Sequence, residues 1–179
     1  MKIIGIVGSL RKESWNRKLY ALAITYAAQL GATVTEAPIG DVPLYNEDLE
    51  KDLWPVPAKR FYDQIAAADA VLIVSPEYNY SIPGGLKNAI DWASVGDNAW
   101  KGKVVALMGV SGRQTGTARG QMHLRQALNG TGEVYVVPQP QVGFSKDAFK
   151  EDGTFADPFY EQRVRELLTN LLELARKLR

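Results

Sequence analysis

The sequence has no cysteine and a single histidine, His123, among its 179 residues. Without cysteine there is no disulfide framework, no thiolate nucleophile, no iron–sulfur cluster and no cysteine zinc site. A Ser-His-Asp triad would have to draw on His123, which lies in a helical stretch with no partnering motif around it, so a surface or interface place suits it better than catalysis. No run of about 18 apolar residues is present, and the apolar opening Met1–Val7 is too short for a signal-peptide core. We therefore expect a cytoplasmic protein that does not insert into membranes. Excess charge is also missing: 21 basic and 20 acidic side chains leave a formal net charge of +1. Nothing general then draws the chain to nucleic acid or to an anionic membrane surface. An enzyme so poor in nucleophiles and metal ligands would borrow its reactive part.

What is present is ordinary for a globular protein, with 46% apolar and 23% charged residues, values that exclude disorder, collagen and coiled coil. The length suits one domain over residues 1–179 around one core. Ile3–Val7 is short, apolar and β-branched, and it runs into Gly8-Ser9: a buried first strand. Leu19, Leu22, Ala23, Tyr26, Ala27 and Leu30 fall on one helical face, with Gly31 as the stop. Thr33–Ala37 reads as the second strand. Residues 38–57 are rich in Pro, Asp, Glu and Asn without periodicity, a connection long enough to be functional or a subunit contact. Further helices are expected over Ala58–Ala67, Pro83–Ala93, Ala118–Leu128 and Pro158–Leu178, and further strands over Ala70–Val74, Lys103–Val110 and Glu133–Val137.

Five short apolar strands alternating with amphipathic helices predict an α/β fold, a parallel sheet covered on both faces. The flavodoxin-like three-layer sandwich with strand order 2-1-3-4-5 suits five strands, and ligands in such sheets bind at the switch point beyond the strands' carboxyl ends. Three loops should meet there. The first, Gly8-Ser9-Leu10-Arg11-Lys12-Glu13-Ser14-Trp15-Asn16, opens a helix whose free N–H groups favour an anion. Ser9, Ser14 and Asn16 add short donors, and Arg11 a charge-assisted one. The plainer alternative, a turn with Ser14 as an ordinary helix cap, accounts for Ser14 alone. Neither a Walker loop nor a dinucleotide fingerprint is present, since Gly5 and Gly8 are the only early glycines. Acidic metal ligands of a receiver domain are missing as well. The anion is then a bound ligand's own phosphate.

The second loop, Pro76-Glu77-Tyr78-Asn79-Tyr80, combines a fixed backbone, flat apolar faces and a donor–acceptor amide, which suits a planar heteroaromatic ring. A rigid proline turn with two surface tyrosines is the alternative. The third, Ser111–Thr117, is small and polar, with Gly112 allowing close backbone approach. Gly109-Val110-Ser111-Gly112-Arg113 misses the hydrolase elbow G-x-S-x-G at its last position, which argues against Ser111 as a nucleophile.

The pieces Gly8-Ser9-x-Arg11-x-x-Ser14-x-Asn16 and Ser75-Pro76-Glu77-Tyr78-Asn79-Tyr80-Ser81-Ile82-Pro83-Gly84-x-Leu86-Lys87-Asn88-Ala89-x-Asp91-Trp92 resemble the NAD(P)H-dependent FMN reductases, a family that includes bacterial quinone and chromate reductases and is similar to some azoreductases. The resemblance spans nearly the whole chain. It implies that Ser9, Arg11, Ser14 and Asn16 hold the FMN phosphate, that Pro76, Glu77, Tyr78 and Asn79 line the isoalloxazine, and that Ser111 and Gly112 border it. It also implies NADPH or NADH as co-substrate, with quinones, free flavin, azo compounds or chromate as acceptors. It carries over no general acid or base. Trp15 departs from what many relatives have. A homodimer or homotetramer is implied, for which the segment Leu86–Trp92 is the candidate contact helix. Two alternatives stay open: a flavodoxin-type one-electron carrier, usually strongly acidic, and a sensor or interaction protein holding FMN as a structural ligand.

Overall fold

The computed structural model describes residues 1–51, 54–131, 134–136, 140–143 and 145–178. In chain order the elements are β1 (Lys2–Val7), α1 (Trp15–Gln29), β2 (Thr33–Glu36), α2 (Val56–Ala66), β3 (Ala70–Val74), α3 (Gly84–Ser94), β4 (Val104–Val110), α4 (Ala118–Asn129), β5 (Tyr135–Val136), β6 (Gln141–Val142) and α5 (Pro158–Lys177). The parallel sheet runs β2-β1-β3-β4-β5, the flavodoxin-like order, with β6 as a small addition beside β4. Ile3 to Val7 pair in register with Ala70 to Val74, and Ala70 to Val74 with Val104 to Met108.

Side chains alternate across a strand, so each apolar run feeds two cores. Ile3, Val7, Leu72, Val74, Ala106 and Met108 face one side and pack with α1 and α5 residues such as Leu19, Ala23, Leu168 and Leu171. Ile4, Ile6, Val71, Ile73, Val105 and Leu107 face the other and pack with Phe61, Ile65, Leu86, Ile90 and Leu124 from α2, α3 and α4. Covering both faces is why these strands read as continuous apolar runs.

The structure corrects several boundaries. Helix α1 starts at Trp15, ahead of the periodic stripe, because Ser14 supplies an N-cap whose Oγ accepts from the Asn16 N–H at 3.2 Å. The long connection contains a short 3₁₀ turn, Glu47–Leu49, and is fastened to α3. Asn88 donates to the Pro43 carbonyl at 2.8 Å and accepts from the Tyr45 N–H at 2.7 Å, and the Trp92 indole also donates to Pro43 at 2.8 Å. The apolar face of α3 is core, with Leu86, Ala89, Ile90 and Trp92 fully buried within the chain. Of the segment 86–92 named above as the candidate contact helix, the opposite face, with Lys87 and Asp91, is the part left for a partner. Of the expected fifth strand, Tyr135 and Val136 are strand and Val134 is not, while the expected ends Glu133 and Val137 lie outside the described residues. Strand β4 forks. Val104 and Val105 pair with β5, while Gly109 and Val110 pair with β6, a strand without a sequence signal.

Candidate functional site

The carboxyl ends of β1, β3 and β4 bring the three loops to one edge of the sheet. Glycine makes this convergence fit. A Cβ on Gly8 would sit 2.6 Å from Ser75 Oγ, and one on Gly109 only 2.2 Å from the Ser75 carbonyl oxygen, so the loops leave the sheet at contact distance. Between them runs a groove of two joined hollows. The narrower, about 240 Å³, is lined by Ser9, Arg11, Ser14, Asn16, Pro76 and Ser111 among others. The wider, about 470 Å³, is lined by Glu77, Asn79, Tyr80, Ser111, Gly112 and Arg113. Glu77, Ser111 and Gly112 belong to both. Together they fall within the roughly 300–1,000 Å³ of small-molecule sites.

The narrow end carries unpaired donors. Ser9 is 2% exposed, and its side chain makes no hydrogen bond to a described residue. Arg11 is exposed at the groove wall, and its guanidinium has no hydrogen-bond or ion-pair partner among the described residues. The backbone N–H groups of residues 9–13 are likewise not hydrogen-bonded to described residues. Unpaired donors converging at a helix N-terminus favour negative charge. Asn16 behaves differently. Its side-chain nitrogen donates to the Val110 carbonyl at 3.0 Å, and its oxygen accepts the Val110 N–H at 3.1 Å. Both ends of the amide are engaged, so Asn16 locks the first loop to the end of β4. Trp15, the departure noted above, stacks on Phe149 with ring centroids 5.7 Å apart, which ties the segment after β6 to α1.

At the wide end the chain makes a tight turn. The N–H groups of Tyr78 and Ser81 donate to each other's carbonyls, both at 2.9 Å. Asn79 and Tyr80 between them have φ of 49° and 62°, the pattern of a type I′ turn. Asparagine tolerates that region; for a bulky tyrosine it costs about 1–3 kcal/mol and persists only where the surroundings impose it. Glu77 Oε2 accepts the Gly120 N–H of α4 at 2.9 Å, capping a helix whose own N-cap, Thr117, makes no side-chain bond to the helix backbone. Tyr78 and Tyr80 are each about half exposed. Arg119 and Arg113 lie over the Tyr80 ring at 4.7 and 5.6 Å from its centroid.

The third loop is fixed internally. Ser111 Oγ donates to the Gly116 carbonyl at 2.5 Å and accepts the Arg113 N–H at 3.1 Å, an arrangement with no base beside it. The fold thus brings all ten predicted residues (Ser9, Arg11, Ser14, Asn16, Pro76, Glu77, Tyr78, Asn79, Ser111 and Gly112) to one groove. Sequence reasoning missed Ser145, buried at the groove floor with its N–H on the Ser111 carbonyl at 3.0 Å. No periodicity or motif marks it. Two larger hollows lie elsewhere, about 800 Å³ along α5 and about 550 Å³ beside α2. Most of their cations are already paired, Arg165 with Glu161, Lys59 with Asp63 and Arg60 with Asp41. Among the described residues no cluster of His, Asp or Glu could hold a metal, and no helix is long and apolar enough to cross a membrane.

The family model of NADPH-dependent FMN reductases matches residues 1–149. An NAD(P)H-dependent FMN reductase of Pseudomonas aeruginosa is 41% identical, the alignment covering all of this chain and 97% of that protein. A quinone reductase of Pseudomonas putida is 43% identical over 89% of this chain and 88% of its own. Among solved structures, the flavoenzyme NAD(P)H:(acceptor) oxidoreductase FerB from Paracoccus denitrificans superposes with a TM-score of 0.85 at 35% identity, covering 98% of this chain and 97% of that one.

Proposed function

The chain belongs to the NADPH-dependent FMN reductase family, and we propose that it is an FMN-containing oxidoreductase that takes hydride from NADPH or NADH and passes it to a small acceptor. The observation that carries this is the shape and chemistry of the groove: unpaired donors at its narrow end, flat apolar and amide faces at its wide end. FMN matches that division, with a phosphate at one extremity and a planar ring at the other. Bound there, FMN supplies hydride acceptance from a nicotinamide and delivery to the acceptor.

The residues bind and orient. Arg11 and the hydroxyls of Ser9 and Ser14 hold the phosphate, helped by the free N–H groups of residues 9–13. Asn16 contributes by holding that loop against β4. Pro76 and Tyr78, which line the narrow hollow beside the residues it shares with the wide one, provide apolar walls where the ring passes from one to the other. Glu77 and Asn79 position the turn beside the ring, and Gly112 lets backbone come close from the β4 side. The open wide end leaves room for the nicotinamide and then the acceptor to reach one face in turn, and orientation sets the rate. Such openness supports broad acceptor use: quinones, free flavin, azo compounds or chromate. The same reading has one domain working in the cytoplasm, where reduced pyridine nucleotides are supplied, as a homodimer or homotetramer.

An absorption spectrum tests the proposal. Purified protein given FMN and desalted should be yellow, bleach on anaerobic addition of NADPH or NADH, and recover colour with a quinone. Protein that retains no FMN overturns the assignment of the groove. Retained FMN that neither nucleotide reduces points to the electron-carrier or sensor alternative.

A further inference from the structure

The turn at Tyr78–Ser81 is held from outside by α4, and at three places. Glu77 caps Gly120, the Arg119 guanidinium lies over Tyr80, and His123 Nδ1 shares a hydrogen bond of 2.9 Å with Ser81 Oγ. The two elements touch closely, since a Cβ on Gly120 would stand 3.2 Å from the Ser81 carbonyl and 3.4 Å from Glu77 Cβ. Ser81 is the residue whose backbone closes the turn on Tyr78. A tyrosine with positive φ at the tip needs such support, because an unrestrained turn would relax out of that region. His123 supplies the side-chain bond that Ser81 makes to α4, and it lines neither hollow of the groove.

We infer that His123, the chain's lone histidine, is a positioning residue: through Ser81 it fixes the strained Tyr78–Ser81 turn and thereby the wall of the wide end that the second substrate meets. The part about substrate rests on the reading given under Proposed function; the part about the turn does not. The phosphate end belongs to a different loop, so His123 sets how the ring, the pyridine nucleotide and the acceptor dock at the wide end and leaves the phosphate contacts in place.

Three variants test it: His123→Ala, which removes the bond; His123→Asn, whose amide nitrogen can take the place of Nδ1; and Ser81→Ala. Amide hydrogen exchange of the FMN-free protein reads the turn directly. In His123→Ala and Ser81→Ala the N–H groups of Tyr78 and Ser81 should exchange about fivefold faster, the factor expected for one ordinary hydrogen bond. His123→Asn should stay within about twofold of wild type, and the Ala–Ala double variant should add nothing to either single one. In FMN-loaded protein, KM for the pyridine nucleotide or quinone should rise about fivefold in His123→Ala, with kcat held within about twofold. Unchanged exchange in His123→Ala overturns the inference. So does equal loss of protection in His123→Ala and His123→Asn, which would mean disturbance of α4 itself, and so does a fall in kcat at constant KM. If the protein takes up no FMN, the functional reading fails while the exchange measurement still decides the role of His123.

Discussion

Arg11 and Tyr20 show how differently an unpaired polar group acts at the surface and in the core. Arg11 has no described partner, so its charge is available to a ligand phosphate. A hydrogen bond to a charged group contributes about 1.5–3 kcal/mol, so Arg11→Ala should weaken FMN binding by roughly 10- to 150-fold in a fluorescence titration. Unchanged affinity would remove Arg11 from the phosphate site. Tyr20 is buried against Gly5, and its hydroxyl has no hydrogen-bond partner among the described residues. Burial, reinforced by the nearby Glu36 carboxylate, pushes its pKa up to about 12 from 10.0. The unfolded chain then loses this proton near pH 10 while the folded protein keeps it, so above that pH the unfolded state binds fewer protons and stability falls as pH rises. Tyr20→Phe deletes both the unpaired hydroxyl and this alkaline loss. Its Tm should match or exceed wild type at neutral pH, and the gain should widen between pH 10 and 12. A variant clearly less stable at every pH would show that the hydroxyl has a partner after all.

At the scale of elements, the groove exists because loops far apart in sequence are bolted together. Asn16 in α1 and Val110 at the end of β4 are 94 positions apart, yet they exchange two hydrogen bonds. Asn16→Ala would strand a buried N–H and a buried carbonyl, which costs about 2 kcal/mol or more and should lower Tm by roughly 4–8 °C. Asn16→Asp keeps an acceptor for the Val110 N–H but has no donor for its carbonyl, so it should also fall well short of wild type. Thermal unfolding of both variants checks this, and a wild-type Tm in Asn16→Ala would mean the clamp carries no load. The same bond shows where sequence reading stops. Ile3–Val7, Ala70–Val74 and the helical stripes are legible because they carry a period of their own, and the period fixes which face is core. Clustered donors at residues 9–16 are legible because they crowd a strand–helix junction. Which of those donors point into the groove and which are engaged elsewhere depends on partners a hundred residues away, and no local pattern encodes that. Strand β6, two residues long, and Ser145 are invisible for the same reason: their places are set by what they pack against.

Across the whole molecule, charge is nearly balanced, so no long-range field draws an anionic nucleotide to the surface at large. The groove is an exception. Arg11 stands at one end, with Arg113 and Arg119 around Tyr80 at the other, and none of the three guanidiniums is ion-paired to a described residue. Among the described residues the one carboxylate lining the groove, Glu77, is held on the Gly120 N–H. Clefts of one sign raise the local concentration of an oppositely charged ligand and speed its arrival, an effect that screening removes over about 8 Å at physiological ionic strength. The second-order rate at which NADPH bleaches the loaded protein should therefore fall severalfold between low and physiological salt, measured by stopped flow. Reoxidation by an uncharged quinone, which has no charge to steer, should be nearly indifferent to the same change. Arg113→Ala with Arg119→Ala should flatten the NADPH dependence and leave the quinone step as it was. If wild-type reduction is already insensitive to salt, the three arginines do not guide the nucleotide, and docking depends on the shape of the wide end alone.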